Sequence, residues 1–305
     1  MSDFDIIILG AGPAGLTAGI YAARGGLSAL VLEDKAPGGQ AALTAKVENY
    51  PGIPDINGFD LAFTMLNQAK SFGVKVRTGK IESLKLAGDE KQVRLANGKE
   101  FSAKAVIIAT GAKSRLLGLD NELELTGKGI SYCATCDGMF FKDKIVAVVG
   151  GGNTAVEDAL YLENLAKKVY LIHRRNELRA DKILAERIKS SSVEILWDSV
   201  VVKAFGDDNL TEIEVKNVKN DSLSRVLVDG LFVAVGQTPN TLFLENADKK
   251  PQLTDGGYIK ADEEMRTDIE GVFVAGDVRE KTLRQIVTAA ADGAIAANSA
   301  LAYLR

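Results

Sequence analysis

The sequence predicts an α/β protein with two copies of one three-layer unit, the second inserted into the first. An aliphatic run, a glycine-rich turn and a helical pattern occur twice, in "FDIIILGAGPAGLTAGIYAAR" and in "KIVAVVGGGNTAVEDALYLEN". A further strand and turn, "TDIEGVFVAGDV", comes late in the chain and precedes a long Ala-rich helical pattern. About sixty residues cannot easily form a core of their own beside two larger ones. This last segment is therefore expected to return to the first unit.

Composition excludes several classes of function. The 305 residues are 46% hydrophobic, which is ample for two cores. The net charge of −4 comes with no basic block, so nucleic-acid binding has no electrostatic support. No apolar run approaches the ~18 residues of a membrane-spanning helix. The start, "MSDFDIIILG", is acidic and enters a strand at once, unlike a signal peptide. Neither a membrane nor a nucleic acid is expected as a partner.

The two glycine-rich turns follow one spacing, G-x-G-x-x-G/A. The small residues are Gly10, Gly12 and Gly15 in the first copy and Gly150, Gly152 and Ala155 in the second. The first glycine allows a tight turn, the second lets backbone approach a pyrophosphate, and the third position lets helix and strand pack closely. The helix N-terminus then faces the phosphates. One such motif is weak evidence, but two in the same context indicate two Rossmann-like dinucleotide-binding domains of the FAD/NAD(P)-binding type.

The residue at the end of the second strand is acidic in the first unit and belongs to a basic cluster in the second. Glu33 lies 23 residues after Gly10, and His173 lies 23 residues after Gly150. An acid in this position accepts hydrogen bonds from a ribose 2′-OH and repels a 2′-phosphate, which arginine binds instead. The first domain should therefore bind an unphosphorylated adenosine, in FAD or NAD.

The second domain should bind NADPH through the basic run "HRRNELR". The residues expected at this site are His173, Arg174, Arg175 and Arg179. A solvated basic turn is the alternative for the arginines. His173 is expected to contact the nucleotide or to fill space, because it lies at the adenosine end of the site and far from any reacting atom.

Returning strands mark the ends of the two units. "AVIIATGA" ends near Gly111, and "LFVAVGQTP" ends near Gly236. The first domain is predicted to comprise residues 1–113 and 244–305, and the second residues 114–243. The chain would cross between them near residues 113–117 and 241–245.

Cys133 and Cys136 are the only cysteines, and both lie in "ISYCATCDGMF". A structural zinc site needs four Cys or His ligands, and the chain has a single histidine. A structural disulfide closing so short a loop would remove little entropy from the unfolded chain. Scarce cysteine suits a reducing cytoplasm. The C-x-x-C spacing favours a redox pair, and two inert core residues are the alternative.

Eight motifs together resemble the low-molecular-weight thioredoxin reductases of bacteria and archaea. They are "GAGPAG", "PGGQ", "VENYPG", "ATGA", "CATCDG", "GGGNTA", "HRRNELRA" and "VFVAGDV". They lie in that family's order over essentially the whole chain, and "CATCDG" between two dinucleotide motifs is highly specific. The resemblance implies FAD in the first domain, NADPH in the second, a homodimer, and a redox disulfide between Cys133 and Cys136.

The resemblance also implies site residues by position. FAD contacts would come from the first glycine motif and from Glu33, Asp34, Lys35, Gly38, Gly39, Gln40, Asn49, Gly111, Gly276, Asp277, Val278, Arg284, Gln285 and Ile286. NADPH contacts would come from the basic run and from Gly150, Gly152, Asn153, Thr154 and Ala155. Asp137 would be the proton donor, which requires burial to raise its pKa. The alternative for Asp137 is a turn residue, since Asp-Gly is a strong turn signal.

The expected reaction passes electrons from NADPH to FAD, to the disulfide, and to thioredoxin or a thioredoxin-like protein. Because the cysteines and the second glycine motif share a domain, a rotation about the two crossings is expected to bring each to the flavin in turn. Three alternatives are a flavin-dependent dithiol oxidase, a ferredoxin-linked disulfide reductase and a non-catalytic redox sensor. The first two would have no use for a 2′-phosphate site.

Overall fold

The computed structural model describes residues 2–44 and 46–305; Met1 and Ala45 lie outside the described residues. The chain divides into two compact units, one containing the residues up to Lys113 together with Thr238–Arg305, and the other Ser114–Gln237. Residues 238–243, which the sequence analysis places in the second domain, thus belong to the first unit. The nucleotide that each unit binds stays a prediction.

The described residues form strands and helices in the following order. The strands are β1 Phe4–Leu9, β2 Ala29–Glu33, β3 Lys75–Thr78, β4 Ile81–Lys85, β5 Lys91–Leu95, β6 Glu100–Ile108, β7 Ala112–Ser114, β8 Ile130–Ser131, β9 Ile145–Val149, β10 Lys168–Ile172, β11 Glu194–Leu196, β12 Ser199–Phe205, β13 Glu212–Asn217, β14 Leu223–Leu227, β15 Gly230–Val233, β16 Gln237–Pro239 and β17 Val272–Val274. The α-helices are α1 Pro13–Arg24, α2 Gly58–Ser71, α3 Glu122–Leu125, α4 Ala134–Asp137, α5 Asn153–Glu163, α6 Lys182–Lys189 and α7 Ile286–Leu304. Short 3₁₀ helices span Gly39–Leu43, Gly138–Phe141, Leu242–Asn246 and Gly276–Val278.

The first unit is built on one sheet in the order β3-β2-β1-β6-β5-β4, with β17 also paired to β6. Strands β3, β2, β1, β6 and β17 are parallel, and β4 and β5 extend the sheet in antiparallel fashion. Ile6 and Ile8 on β1 pack into one core with α1, α2 and α7. Ile7 and Leu9 on the same strand face a second core that includes residues of β4 and β5. This alternation follows from the two-residue period of a strand and produces the three layers.

The second unit repeats the plan on a smaller scale. Its parallel sheet has the order β11-β10-β9-β15-β8, and β12, β13 and β14 form a separate antiparallel sheet. Val146 and Val148 on β9 pack with α5, whereas Ala147 and Val149 pack toward β12 and β13. At the two crossings between the units, β7 and β16 pair as a two-stranded sheet.

Close packing of α1 on α7 shapes the first unit. A Cβ at Gly293 of α7 would clash with the carbonyl oxygen of Ala14 in α1. This glycine therefore lets the C-terminal helix approach the helix that follows the first glycine-rich turn. None of the described helices is long and apolar enough to cross a membrane.

Candidate functional site

The cysteine pair lies on a short helix held against α5. Cys133 and Cys136 form a disulfide at the start of α4. Ala134, between them, is fully buried in the core that contains Val156 and Ala159 of α5. Gly138 follows directly, and a Cβ at that position would lie 2.9 Å from the Tyr161 ring. The absence of a side chain there lets the redox motif pack tightly on α5.

Hydrogen bonds through Ser131 join the backbone of Cys133 to a half-buried acid, Asp137. The Oγ of Ser131 donates to Oδ2 of Asp137 at 2.6 Å and accepts the backbone N–H of Cys133 at 3.1 Å. Burial raises the pKa of Asp137, and the hydrogen bond from Ser131 acts in the opposite direction. A half-buried carboxyl with a raised pKa, on the residue that follows Cys136, is suited to deliver a proton to a departing thiolate.

Glu122 supports the segment that leads into the cysteines. Its buried carboxylate accepts the backbone N–H groups of Leu117, Gly118 and Leu119 and the hydroxyl of Tyr132, the last at 2.8 Å. Burial raises the pKa of Tyr132, and the bond to Glu122 adds to the effect. Four donors satisfy the buried charge, so Glu122 ties the loop at residues 117–119 to the residue before Cys133.

The first glycine-rich turn has the geometry that its spacing predicts. A Cβ at Gly10 would clash with the carbonyl oxygen of Ala109, and Gly10 has a φ of 108°. A Cβ at Gly15 would clash with the carbonyl oxygen of Gly10, so the third position must be small. Glu33 accepts the backbone N–H of Ala11 at 2.8 Å and so orders the turn.

Three separate segments meet at this turn within the first unit. A Cβ at Gly39 would lie 3.1 Å from Cα of Gly12, and a Cβ at Gly276 would lie 2.8 Å from Cβ of Ala14. Farther along, the amide of Asn49 donates to Oε1 of Gln285 at 3.0 Å. The structure thus brings together the regions around residues 10–15, 38–40 and 276–278, and it joins Asn49 to the N-cap of α7.

Two polar atoms in this region lack partners. Within residues 2–44 and 46–305, neither Oδ1 of Asp277 nor Nε of Arg284 has a hydrogen-bond partner, although both are buried. Burial raises the pKa of Asp277, against the influence of Lys281 and Arg284. Buried polar atoms are nearly always satisfied, so these residues fit a bound polar ligand such as the ribityl and phosphate chain of a flavin dinucleotide.

The other residues predicted around the flavin differ in exposure. Gly38 and Val278 are buried, and Ile286 begins α7. Asp34, Lys35 and Gln40 are exposed. Gly111 has open space around it, and its carbonyl accepts the backbone N–H of Asn240.

The second glycine-rich turn packs on the histidine. A Cβ at Gly151 would clash with the imidazole of His173, which is buried and bonds through Nε2 to the carbonyl of Glu177 at 2.9 Å. Burial lowers the pKa of His173. Gly152 has no atom within 4 Å of its hypothetical Cβ, so the turn is open at the position where backbone would approach a pyrophosphate.

The basic run folds back beside this turn. The backbone N–H of Arg179 donates to the carbonyl of Gly151 at 2.7 Å. Asn153 and Asp181 exchange two hydrogen bonds, which holds the segment to the first residue of α5. Arg174, Arg175 and Arg179 are exposed, and in the part of the chain that the structure describes none forms a salt bridge. They are thus available to an anionic ligand.

Several residues that support the candidate site were not predicted from the sequence. Ser131, Glu122 and Tyr132 precede the cysteines, but their types are common and their spacing follows no helical or strand period. Asp292 on α7 also went unnoticed; its Oδ2 accepts from Gly276, Arg279 and Lys281. The described residues contain no group of three or more His, Cys, Asp or Glu arranged to hold a metal ion.

Comparison with known proteins agrees with this arrangement. The model of the pyridine nucleotide-disulphide oxidoreductase family matches residues 4–293. The thioredoxin reductase of Listeria monocytogenes is 47% identical over 304 residues, covering 99% of this chain and 94% of that protein. The thioredoxin reductase of Bacillus subtilis is 44% identical, with 99% and 95% covered.

A solved structure extends the similarity to the fold. The crystal structure of thioredoxin reductase from Streptococcus pyogenes is 44% identical and superposes with a TM-score of 0.92, covering 99% of this chain and 98% of that one. The resemblance stated from the motifs is confirmed. The chain belongs to the pyridine nucleotide-disulphide oxidoreductase family and, within it, to the thioredoxin reductases.

Proposed function

We propose that this oxidoreductase is an NADPH-dependent thioredoxin-disulfide reductase that holds FAD in its first unit and NADPH in its second. The observation that carries the proposal is the Cys133–Cys136 disulfide, whose Cys133 backbone is linked through Ser131 to the half-buried carboxyl of Asp137. The curated relatives at 44% and 47% identity are thioredoxin reductases over nearly their full length.

FAD would lie on the first glycine-rich turn, with Asp277 and Arg284 supplying the two buried atoms that still lack partners. Glu33 retains lone pairs for the adenosine ribose beyond its bonds to Ala11 and Lys35. When bound, the flavin accepts two electrons from a reduced nicotinamide and passes them to a disulfide.

NADPH would lie on the second turn, where Gly152 leaves room for the pyrophosphate. The three exposed arginines of the basic run supply charge for the 2′-phosphate, and Arg179 is fixed beside the turn by its own backbone. Charge-assisted bonds of this kind favour NADPH over NADH.

Asp137 would hold the proton that a cysteine sulfur takes when the disulfide opens. Its partial burial raises the pKa of the carboxyl, which therefore stays protonated to a higher pH than an aspartate in water. Neutralising the departing sulfur makes its return to the disulfide less favourable.

Thioredoxin or a thioredoxin-like protein is the proposed partner. Met139, with 54% of its surface exposed, and Phe140 follow the redox motif and give this end of the second unit an apolar surface. A homodimer, a cytoplasmic location and a rotation between the units are parts of the same proposal, supported by the membership of the family.

Steady-state oxidation of NADPH by the FAD-loaded protein tests the proposal. Turnover should depend on added thioredoxin, and a dithiol reporter should show that thioredoxin becomes reduced. A dithiol oxidase would consume oxygen without NADPH, a ferredoxin-linked enzyme would require reduced ferredoxin, and a sensor would not turn over. Any of these results would contradict the proposal.

A further inference from the structure

The Ser131 hydroxyl lies between the proposed proton donor and the backbone of the proposed redox motif. Its Oγ is 2.6 Å from Oδ2 of Asp137, 3.1 Å from the backbone nitrogen of Cys133 and 3.4 Å from the carbonyl oxygen of Cys133. Ser131 is buried, with 5% of its surface exposed. Solvent therefore cannot readily replace these contacts.

A hydroxyl has one hydrogen to donate and can accept from two donors. When Asp137 is ionised, that hydrogen is best used on the carboxylate, where a charge-assisted bond is short and strong. When Asp137 is protonated, its own O–H can donate to Ser131, and the serine hydrogen can turn to the carbonyl of Cys133. The N–H of Cys133 donates to Ser131 in both cases.

We propose that Ser131 is a positioning residue that stabilises the Asp137 carboxylate formed by proton transfer while holding Cys133 in place. The proposal deepens the proposed function and rests on it for the role of Asp137. It assigns to the serine a change of hydrogen-bond direction that accompanies each transfer of the Asp137 proton.

The step is balanced as follows. The reduced flavin of the proposed function would supply two electrons, becoming oxidised and releasing its own proton, and the S–S bond of Cys133 and Cys136 would break. The proton of Asp137 passes to one sulfur, so the products are one thiol, one thiolate and one carboxylate. The new carboxylate is half-buried, so without a hydrogen-bond donor its formation would oppose the transfer. The Ser131 hydroxyl supplies that donor within the motif itself.

The titratable groups on the neighbouring elements are few. Helix α5, which packs on α4, carries Glu157, Asp158, Tyr161 and Glu163. Tyr132 lies beside Ser131, but its hydroxyl is bonded to Glu122. The pKa of Asp137 responds to burial and to Ser131 as its two causes. Ser131 is therefore the neighbour whose removal should change the proton affinity of Asp137.

The test is an infrared titration of the protonated carboxyl band in the oxidised, FAD-loaded protein, with the pH dependence of thioredoxin reduction measured in parallel. Asp137→Asn identifies the Asp137 band by removing it. Ser131→Ala and Ser131→Gly remove the hydroxyl, and Ser131→Thr retains it. The band of Asp158, whose burial raises its pKa to about 7, serves as an internal control.

In Ser131→Ala the pKa of Asp137 should rise by about one unit, the size expected for loss of one bond to a charged group. The part of the pH–rate profile that reports the ionisation of Asp137 should move to higher pH by the same amount. The kcat should fall, and the KM for thioredoxin should be unchanged. Ser131→Thr should restore both, and the Asp158 band should not move.

An unchanged Asp137 titration in both hydroxyl-free variants would overturn the proposal, whatever the activity. So would an equal shift of the Asp158 band, which would indicate a general loosening of the motif. If the wild-type protein failed to reduce thioredoxin, the proposed function would fail. The infrared titration would then still decide whether Ser131 stabilises the carboxylate.

Discussion

The imidazole of His173 packs directly on the backbone of Gly151, leaving no room there for a Cβ. His173 follows β10 at the position that corresponds to Glu33 at the end of β2, since each lies 23 residues after the first glycine of its turn. The two side chains nevertheless act differently. Glu33 bonds to its turn through the N–H of Ala11, whereas His173 supports its turn by filling space. Burial also lowers the pKa of His173, so a neutral ring is favoured over a cation.

Replacing His173 with Ala should therefore weaken the binding of NADPH and of NADH to the same extent. The change leaves a gap beside Gly151 and loosens the turn, and it removes no contact special to the 2′-phosphate. We expect dissociation constants for NADPH and NADH to rise together by about tenfold, roughly the 1.4 kcal/mol of a modest packing loss. Fluorescence titration of the protein with each coenzyme measures this. A loss of affinity for NADPH alone would mean that His173 contacts the 2′-phosphate itself.

Replacing Arg174 and Arg175 with Ala is the matched experiment. Each charge-assisted contact with the 2′-phosphate contributes roughly 1.5–3 kcal/mol, or about one to two orders of magnitude in affinity. The double variant should show a raised Michaelis constant for NADPH and a nearly unchanged one for NADH. Equal use of both coenzymes by the unmodified protein would contradict the 2′-phosphate site.

Replacing Asp137 with Asn should slow reduction of the disulfide by about a hundredfold, toward the lower end of general acid catalysis. The wild-type rate should fall as the pH rises through the pKa of Asp137, which burial raises above that of an ordinary aspartate. The Asn side chain has no acidic proton to lose, so the rate of the variant should not fall over this pH range. Stopped-flow measurement of the reduced flavin's reoxidation by the disulfide, across a pH series, distinguishes the two. A variant with the wild-type rate and profile would exclude Asp137 as the donor.

Replacing Asp158 with Asn should stabilise the fold in a pH-dependent manner. Burial raises the pKa of Asp158 from 3.8 to about 7, with Glu157 as a smaller cause. A raised carboxyl pKa means that the folded state holds the proton more tightly, so stability declines as the pH rises from about 4 to about 7. The variant should match the wild type near pH 4 and exceed it by roughly 4 kcal/mol near pH 8, since about three pKa units correspond to about 1.4 kcal/mol each. Urea unfolding at both values provides the measurement, and a pH-independent difference would contradict it.

The sequence indicated the strands and turns that local pattern controls. The aliphatic runs of β1 and β9 and the glycines after them were predicted correctly, because burial on both faces and a tight turn leave few other residue choices. The sheet of β12, β13 and β14 was not predicted. Its strands mix charged and apolar residues, and their pairing depends on turns that no motif marks.

Site residues divide in the same way. Cys133 and Cys136 were evident because the chain has no other cysteine. Ser131 and Glu122 were not, since serine and glutamate are common and their roles arise from burial and from hydrogen bonds that only the folded backbone creates. Asp292 is a similar case: its carboxylate collects a backbone N–H and two cations from a turn that precedes it in the chain.

Anaerobic titration of the oxidised, FAD-loaded protein with NADPH tests most directly the claim that Cys133 and Cys136 receive the electrons. Absorbance of the flavin and of NADPH would be followed, and Cys136→Ser would be titrated alongside. If the disulfide is reduced through the flavin, the wild-type protein should consume roughly two equivalents of NADPH per chain and the variant roughly one. Equal consumption of roughly one equivalent by both would show that the disulfide takes no electrons and would contradict the account.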